Sequence, residues 1–193
     1  MYLFFDTETT GLPRRWNAPI TDLSNWPRMV QLAWAVYDTT GTPISSIDYI
    51  IQPEGYVIPN EVARIHGIST QRALNEGVAL SRVLSEFAQS LSQATCIVAH
   101  NISFDEKIVG AEFLRKAMPN LLEGYRKICT MQASTDYCRI PSNSPYGGYK
   151  WPRLTELHQK LFGASFDEAH NAAVDIAATA RCFWELKKRG VIS

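Results

Sequence analysis

Phe4-Phe5-Asp6-Thr7-Glu8-Thr9-Thr10-Gly11-Leu12 decides how the rest of the chain is read. The apolar start Tyr2-Leu3-Phe4-Phe5 has the composition of a buried strand, and it runs directly into two acids. Strand side chains alternate faces with period two, so Asp6 and Glu8 project from one face near the strand's end. Two carboxylates side by side next to an apolar core repel each other and are costly to bury. A divalent cation offsets that cost, and hard oxygen donors suit Mg²⁺ or Mn²⁺. The alternative is a solvated strand end whose acids carry no chemistry, because DxE is a short pattern.

Outward from this stretch, composition narrows the class. The chain has 193 residues, 46% apolar and 20% charged, which fits a globular protein of one domain with a sizeable core. Formal net charge is zero, so no broad field recruits duplex nucleic acid or an anionic membrane. That excludes a charge-driven duplex binder, but not an enzyme gripping a few nucleotides through metal ions. Cys96, Cys129, Cys138 and Cys182 form no CxxC pair and no metal-ligand spacing, and read as small apolar residues or inert thiols of a reducing compartment. The N-terminus has no basic region leading into a long apolar core, and no run approaches the ~18 residues of a membrane span. The expected location is the cytoplasm, with no membrane partner.

The segment after Leu12, residues 13–28, is rich in Pro, Asn, Asp and Trp and reads as an ordered loop. Its Arg14, Arg15, Trp16, Trp26 and Arg28 suit contact with a nucleic-acid strand; alternatively the tryptophans only pin the loop to the core. Residues 29–38 read as an interior strand. A turn at Thr40-Gly41-Thr42-Pro43 leads into a second strand over 44–51, an antiparallel start. Helices follow: a short one over 59–65 ending at His66-Gly67, another capped by Ser69 or Thr70, and an apolar stripe over 78–91. Residues 96–99 form a short strand, then a helix runs to about Met118 before Pro119. A last strand over 127–129, a helix over 131–138, a Pro-, Gly- and Tyr-rich loop over 141–152, and helices over 154–162 and 171–188 complete the chain. The pattern predicts an α/β protein with a mixed sheet and surrounding helices.

Two further acids stand out. Asp105 opens a helix just after a strand end, where sheet-edge sites form. Asp175 lies near the start of an alanine-rich helix that includes Ala172, Ala173, Ala177, Ala178 and Ala180. Small residues let that helix approach the sheet and bring Asp175 near Asp6 and Glu8. Alone, Asp175 is explained by the helix dipole.

DTETTGL (6–12), HNISFD (100–105) and HNAAVD (170–175) occur in that order. With IHGI (65–68), the chain resembles the DEDDh 3′–5′ exonuclease family, which contains the proofreading epsilon subunit of bacterial DNA polymerase III. The resemblance covers nearly the whole chain. It implies an RNase H-like core with a five-stranded mixed sheet, and a two-metal phosphodiesterase using Mg²⁺ or Mn²⁺. It further implies that Asp6 bridges both ions, Glu8 and Asp175 complete one site, and Asp105 supports the other. His170 would take the proton of the attacking water. Thr9, Gly11 and Leu12 would form the pocket for the 3′-terminal nucleotide, Ile65 and His66 would contact it, and Phe104 would stack on a base. His100, beside Asn101, would orient the site rather than act as base, while Asn101 would contact substrate. His158 reads as an ordinary surface residue. The loops over 13–28 and 141–152 are longer than the family pattern needs.

Two other functions compete. One is a catalytically silent binding module, which the presence of every motif acid and of His170 disfavours. The other is a proofreading partner of a DNA polymerase, although little chain follows the last helix. An exoribonuclease is a variant of the first reading, since DNA and RNA offer the same 3′ hydroxyl and phosphate, and only the 2′-hydroxyl separates them.

Overall fold

Strand β1 (Tyr2–Thr9) carries both the apolar run and the two acids, and the sheet is assembled around it. The computed structural model describes residues 1–145, 147–164, 166 and 171–193. β2 (Met29–Tyr37) lies antiparallel to β1, pairing Phe5 with Trp34 and Glu8 with Gln31. β3 (Pro43–Ile50) continues the antiparallel ladder as an edge strand. Three helices follow: α1 (Asn60–His66), α2 (Thr70–Glu76) and α3 (Leu80–Leu91). They lead to β4 (Cys96–Ala99), which joins β1 in parallel on its other side. Then α4 (Ile102–Arg115) crosses over to β5 (Arg126–Cys129), parallel to β4. The chain closes with α5 (Thr130–Ala133), α6 (Thr135–Cys138), α7 (Leu154–Phe162) and α8 (Ala172–Lys188). The sheet is five-stranded and mixed, as the family resemblance implies, and its order is β3-β2-β1-β4-β5.

The two faces of β1 belong to different layers. Leu3 and Phe5 pack with Trp34, Phe87, Ile108 and Phe113 under α3 and α4. Phe4 packs with Ala33, Val98, Ala180 and Phe183 under α8. Asp6 and Glu8 continue the Phe4 phase, and so face α8. Ala172 and Ala180 on α8 are buried in that layer, where their size lets the helix lie against the strands.

Several element ends depart from the sequence reading. α4 stops at Arg115 rather than near Met118: Ala117 turns to positive φ (54°) and the Met118 amide bonds back to the Phe113 carbonyl. The helix expected over 131–138 is divided at Ser134, whose hydroxyl donates to the Thr130 carbonyl at 2.6 Å. Val78 is not helical but bridges Ile51, so α3 begins at Leu80. Among the described residues no helix is long and apolar enough to cross a membrane. All four cysteines are buried and reduced.

Candidate active site

The carboxyl ends of β1, β4 and β5 meet on one edge of the sheet, where β1 has an antiparallel neighbour on one side and a parallel one on the other. Open α/β sheets bind ligands at such a reversal. β1 pairs with β4 only from Tyr2 to Phe4, yet it runs on to Thr9, so among the described residues no strand pairs with its far end on that side. Asp105 fills this place. Its Oδ1 accepts from the Thr7 amide at 3.1 Å and the Thr7 hydroxyl at 2.8 Å. The route from β4 to Asp105 turns on Asn101, which adopts a left-handed conformation (φ 73°) that asparagine tolerates better than most residues.

Asp175 arrives from the opposite layer. Asn171 caps α8 by accepting from the Ala173 and Val174 amides, which places Asp175 in the first turn. Gln31, opposite Glu8 in the sheet register, accepts from the Ala172 amide at 3.4 Å and ties the start of α8 to β2. Carboxylate oxygens of Asp6, Glu8 and Asp175 then lie within 4.8 Å of one another. These three residues are 169 positions apart at their extremes, yet they share one spot.

Electrostatics follow from this crowding. Burial, then repulsion from Asp105, Asp175 and Glu8, holds the Asp6 carboxyl well above the usual carboxylate range. Burial and the neighbouring Asp175 and Asp105 push Glu8 up to about 8. Burial pushes Asp105 up to about 7 although the Thr7 bonds oppose it. Three hard oxygen donors on one spot, with Asp6 and Glu8 held in a state that disfavours their ionisation, suit a hard divalent cation. The donor set fits the metal expected from the sequence.

A cleft of about 490 Å³ opens over the cluster, lined by Asp6, Asp175, His100, Asn101, Trp151 and Arg153 among others. His100 spans it. Its Nε2 lies 3.0 Å from the Pro152 carbonyl and its Nδ1 3.0 Å from the Thr130 hydroxyl. A carbonyl only accepts, so the proton is on Nε2 and the hydroxyl donates to Nδ1. Burial holds the ring down to about 4, so it is neutral and positions the 141–152 loop.

The remaining sequence-assigned residues are distributed as follows. Thr9 is buried and its hydroxyl donates to the Gly11 carbonyl at 2.6 Å, while Gly11 takes φ 146° and Leu12 is 72% exposed. His66 is buried at the end of α1, its Nδ1 accepting from the Ile68 amide at 3.2 Å, and Ile65 beside it is exposed. Phe104 is half-buried with its ring 5.8 Å from that of Trp16. His170 lies outside the described residues. His158 is not a surface residue: it is buried between α7 and α8, with Nδ1 at 2.7 Å from the Ala164 carbonyl and Nε2 at 3.2 Å from Arg181. Trp151 and Arg153 were missed by the sequence reading; the run Lys150-Trp151-Pro152-Arg153, an aromatic between two cations, was the signal available.

The family model described as Exonuclease (RNase_T) matches residues 3–183. The chain belongs to the exonuclease family. The match fits the DEDD-type 3′–5′ exonucleases of the RNase H-like superfamily, which the motif acids of the sequence resemble. It is 30% identical over 180 residues to the PolC-type DNA polymerase III of Streptococcus pneumoniae, and 33% identical to that of Lactococcus lactis. Those matches cover 93% of this chain, which spans only about a tenth of the polymerases' length (11% and 10%). In fold it resembles E. coli exonuclease I in complex with a dA16 oligonucleotide (TM-score 0.74, 22% identity, 97% of this exonuclease chain and 41% of that one). The exonuclease I of Methylocaldum szegediense is similar at TM-score 0.72 and 21% identity, over 97% of this chain and 40% of that one.

Proposed function

We propose that residues 1–193 form one exonuclease domain that removes nucleoside 5′-monophosphates from the 3′ end of single-stranded or frayed nucleic acid, with DNA favoured. The observation that carries this reading is the convergence of Asp6, Glu8 and Asp175 in a chain of the exonuclease family. Asp6, Glu8 and Asp175 would hold Mg²⁺ or Mn²⁺, and Asp105, oriented by Thr7, would support a second ion. When bound, two such ions activate the attacking water and compensate charge on the leaving 3′ oxygen. His170, assigned by resemblance alone, takes the proton of that water as its oxygen bonds to phosphorus and the bond to the 3′ oxygen breaks. Thr9, Gly11 and Leu12 receive the terminal nucleotide, with Ile65, His66, Asn101 and Phe104 touching it.

Preference for single strands follows from the neutral net charge, which provides no broad phosphate-neutralising surface for a duplex. Unpairing a terminal base costs on the order of a few kcal/mol. A strand labelled at its 5′ end should give a ladder shortening from the 3′ end, abolished by chelator and restored by Mg²⁺ or Mn²⁺. Release of the 5′ mononucleotide first, or full hydrolysis in excess chelator, contradicts the reading. A second reading, association with a DNA polymerase, is favoured by the polymerases among its sequence relatives. Co-purification with a polymerase tests it.

A further inference from the structure

Two large aromatic side chains, Trp16 and Trp151, stay 55% and 60% exposed although they come from separate loops. They line one cleft of about 500 Å³ together with Asn101, Ser103, Lys107 and Met131. Among the described residues this lining carries one cation and no acid. It shares Asn101, Met131 and Trp151 with the cleft above the carboxylates, so the two adjoin. Both tryptophans stand on anchored backbone, and the Trp16 ring is also buttressed. The Trp16 carbonyl accepts from Lys107 Nζ at 2.9 Å, and its ring rests against Phe104. The loop bearing Trp16 is fastened to α4 by Arg115, whose guanidinium donates to the Leu23 and Trp26 carbonyls at 2.7 Å. Trp151 precedes Pro152, whose carbonyl accepts from His100, and Lys150 pairs with Glu156 at 2.6 Å.

We infer that Trp16 and Trp151 form a stacking cleft for the nucleotides immediately 5′ of the scissile linkage of a single strand. This rests on the exonuclease reading above and gives a role to the two long loops. Cleavage at the carboxylates removes the terminal nucleotide, so the rest of the strand must leave along an open path beside them. The tryptophan cleft adjoins the carboxylates and offers that path. Bases have apolar faces whatever their identity, and a flat indole stacks on any of them. A neutral chain has no broad field to hold the strand, so stacking supplies grip that charge does not. Loops already anchored lose less entropy on binding than free ones. The cleft reads neither sequence nor sugar, so deoxyribose and ribose strands are both accommodated there.

The test is the dependence of KM on strand length. In wild-type protein KM should fall about tenfold or more between a dinucleotide and a six-nucleotide strand, because each stacked base changes affinity by about tenfold. Trp16→Ala and Trp151→Ala should each remove much of this gain, and the double variant should flatten it to under about threefold, while Trp→Phe at either position restores most of it. Deoxyribo- and ribo-oligonucleotide series run in parallel should show the same loss. A length gain untouched in the double variant overturns the cleft while leaving the nuclease intact. Indole fluorescence, read with the six-nucleotide strand in excess chelator, separates the two readings. Quenching that disappears in Trp16→Phe/Trp151→Phe, in a protein that cuts no strand when Mg²⁺ is supplied, overturns the nuclease reading and supports the cleft. Absence of both quenching and cutting overturns both.

Discussion

At the residue scale, the site depends on the crowding of acids, with carboxylate oxygens of Asp6, Glu8 and Asp175 on one spot. Replacing Asp6 or Asp175 by alanine should abolish turnover, because each removes an oxygen from the shared spot; retained turnover in either contradicts the ligand set. His170→Ala should lower kcat by ~10²–10⁴ with metal binding intact. Loss of a metal in titration calorimetry would reassign it as a ligand. Thr7 offers a finer test, since its hydroxyl and amide both hold Asp105. Thr7→Val keeps the shape and the amide bond but deletes the hydroxyl donor. Losing one hydrogen bond to a charged acceptor costs about 1.5–3 kcal/mol, so we expect lower stability in urea and weaker activity. A Thr7→Val protein with unchanged rate and midpoint would show that Asp105 needs no such anchor.

At the scale of elements, the loop over 13–28 is ordered by a buried acid on α4. Glu112 is fully buried; its Oε1 accepts from Arg28 Nε and the Met29 amide at 2.9 Å and pairs with Arg115 at 3.0 Å. Arg28 also lies over the Tyr56 ring at 4.3 Å. Breaking a buried pair by removing one partner costs about 3–5 kcal/mol, because the other charge is left uncompensated. Glu112→Ala should therefore lower stability by about that amount in equilibrium urea unfolding. A cost under about 1 kcal/mol would mean that the two arginines find water instead. The loop's two tryptophans divide the alternatives the sequence left open: Trp26 is buried and donates to the Pro19 carbonyl at 3.0 Å, pinning the loop, whereas Trp16 is exposed.

At the scale of the whole molecule, the acid cluster should set the pH dependence of stability. Glu8 is held up to about 8 and Asp105 up to about 7, whereas unfolded carboxylates titrate near ~4. Between those values the folded protein without cation binds more protons than the unfolded chain, so ionising the acids opposes folding. Their favourable contribution is complete below about pH 4 and is lost as pH rises through about 7–8. The melting temperature of metal-free wild type, relative to Glu8→Gln, should accordingly fall from about pH 5 to pH 8. Mg²⁺ should restore it, because a ligand that binds the ionised folded state stabilises that state. Calorimetric scans across this range check the sign: a difference that rises with pH in chelator would contradict the crowding of the acids.

What the chain determined by itself was local. Period-two alternation put Asp6 and Glu8 on one face, and Gly67 and Ser69 marked the end of α1 and the start of α2. The order of the three acidic motifs, which is a matter of sequence alone, pointed to the family and the five-stranded sheet. The pieces left to tertiary structure join residues far apart in sequence. Thr7 and Asp105 lie 98 positions apart, Lys107 and Trp16 91, and Arg181 and His158 23. His158 shows the difference: its place mid-helix was legible, but its burial depended on where α8 came to rest. The juxtaposition of Trp16 and Trp151 was equally hidden, because each loop is irregular and has no period from which a direction can be read. Local periodicity is set by backbone sterics within a few residues. Which side chains then meet across layers is set by how whole elements pack, and that is decided only when the core closes.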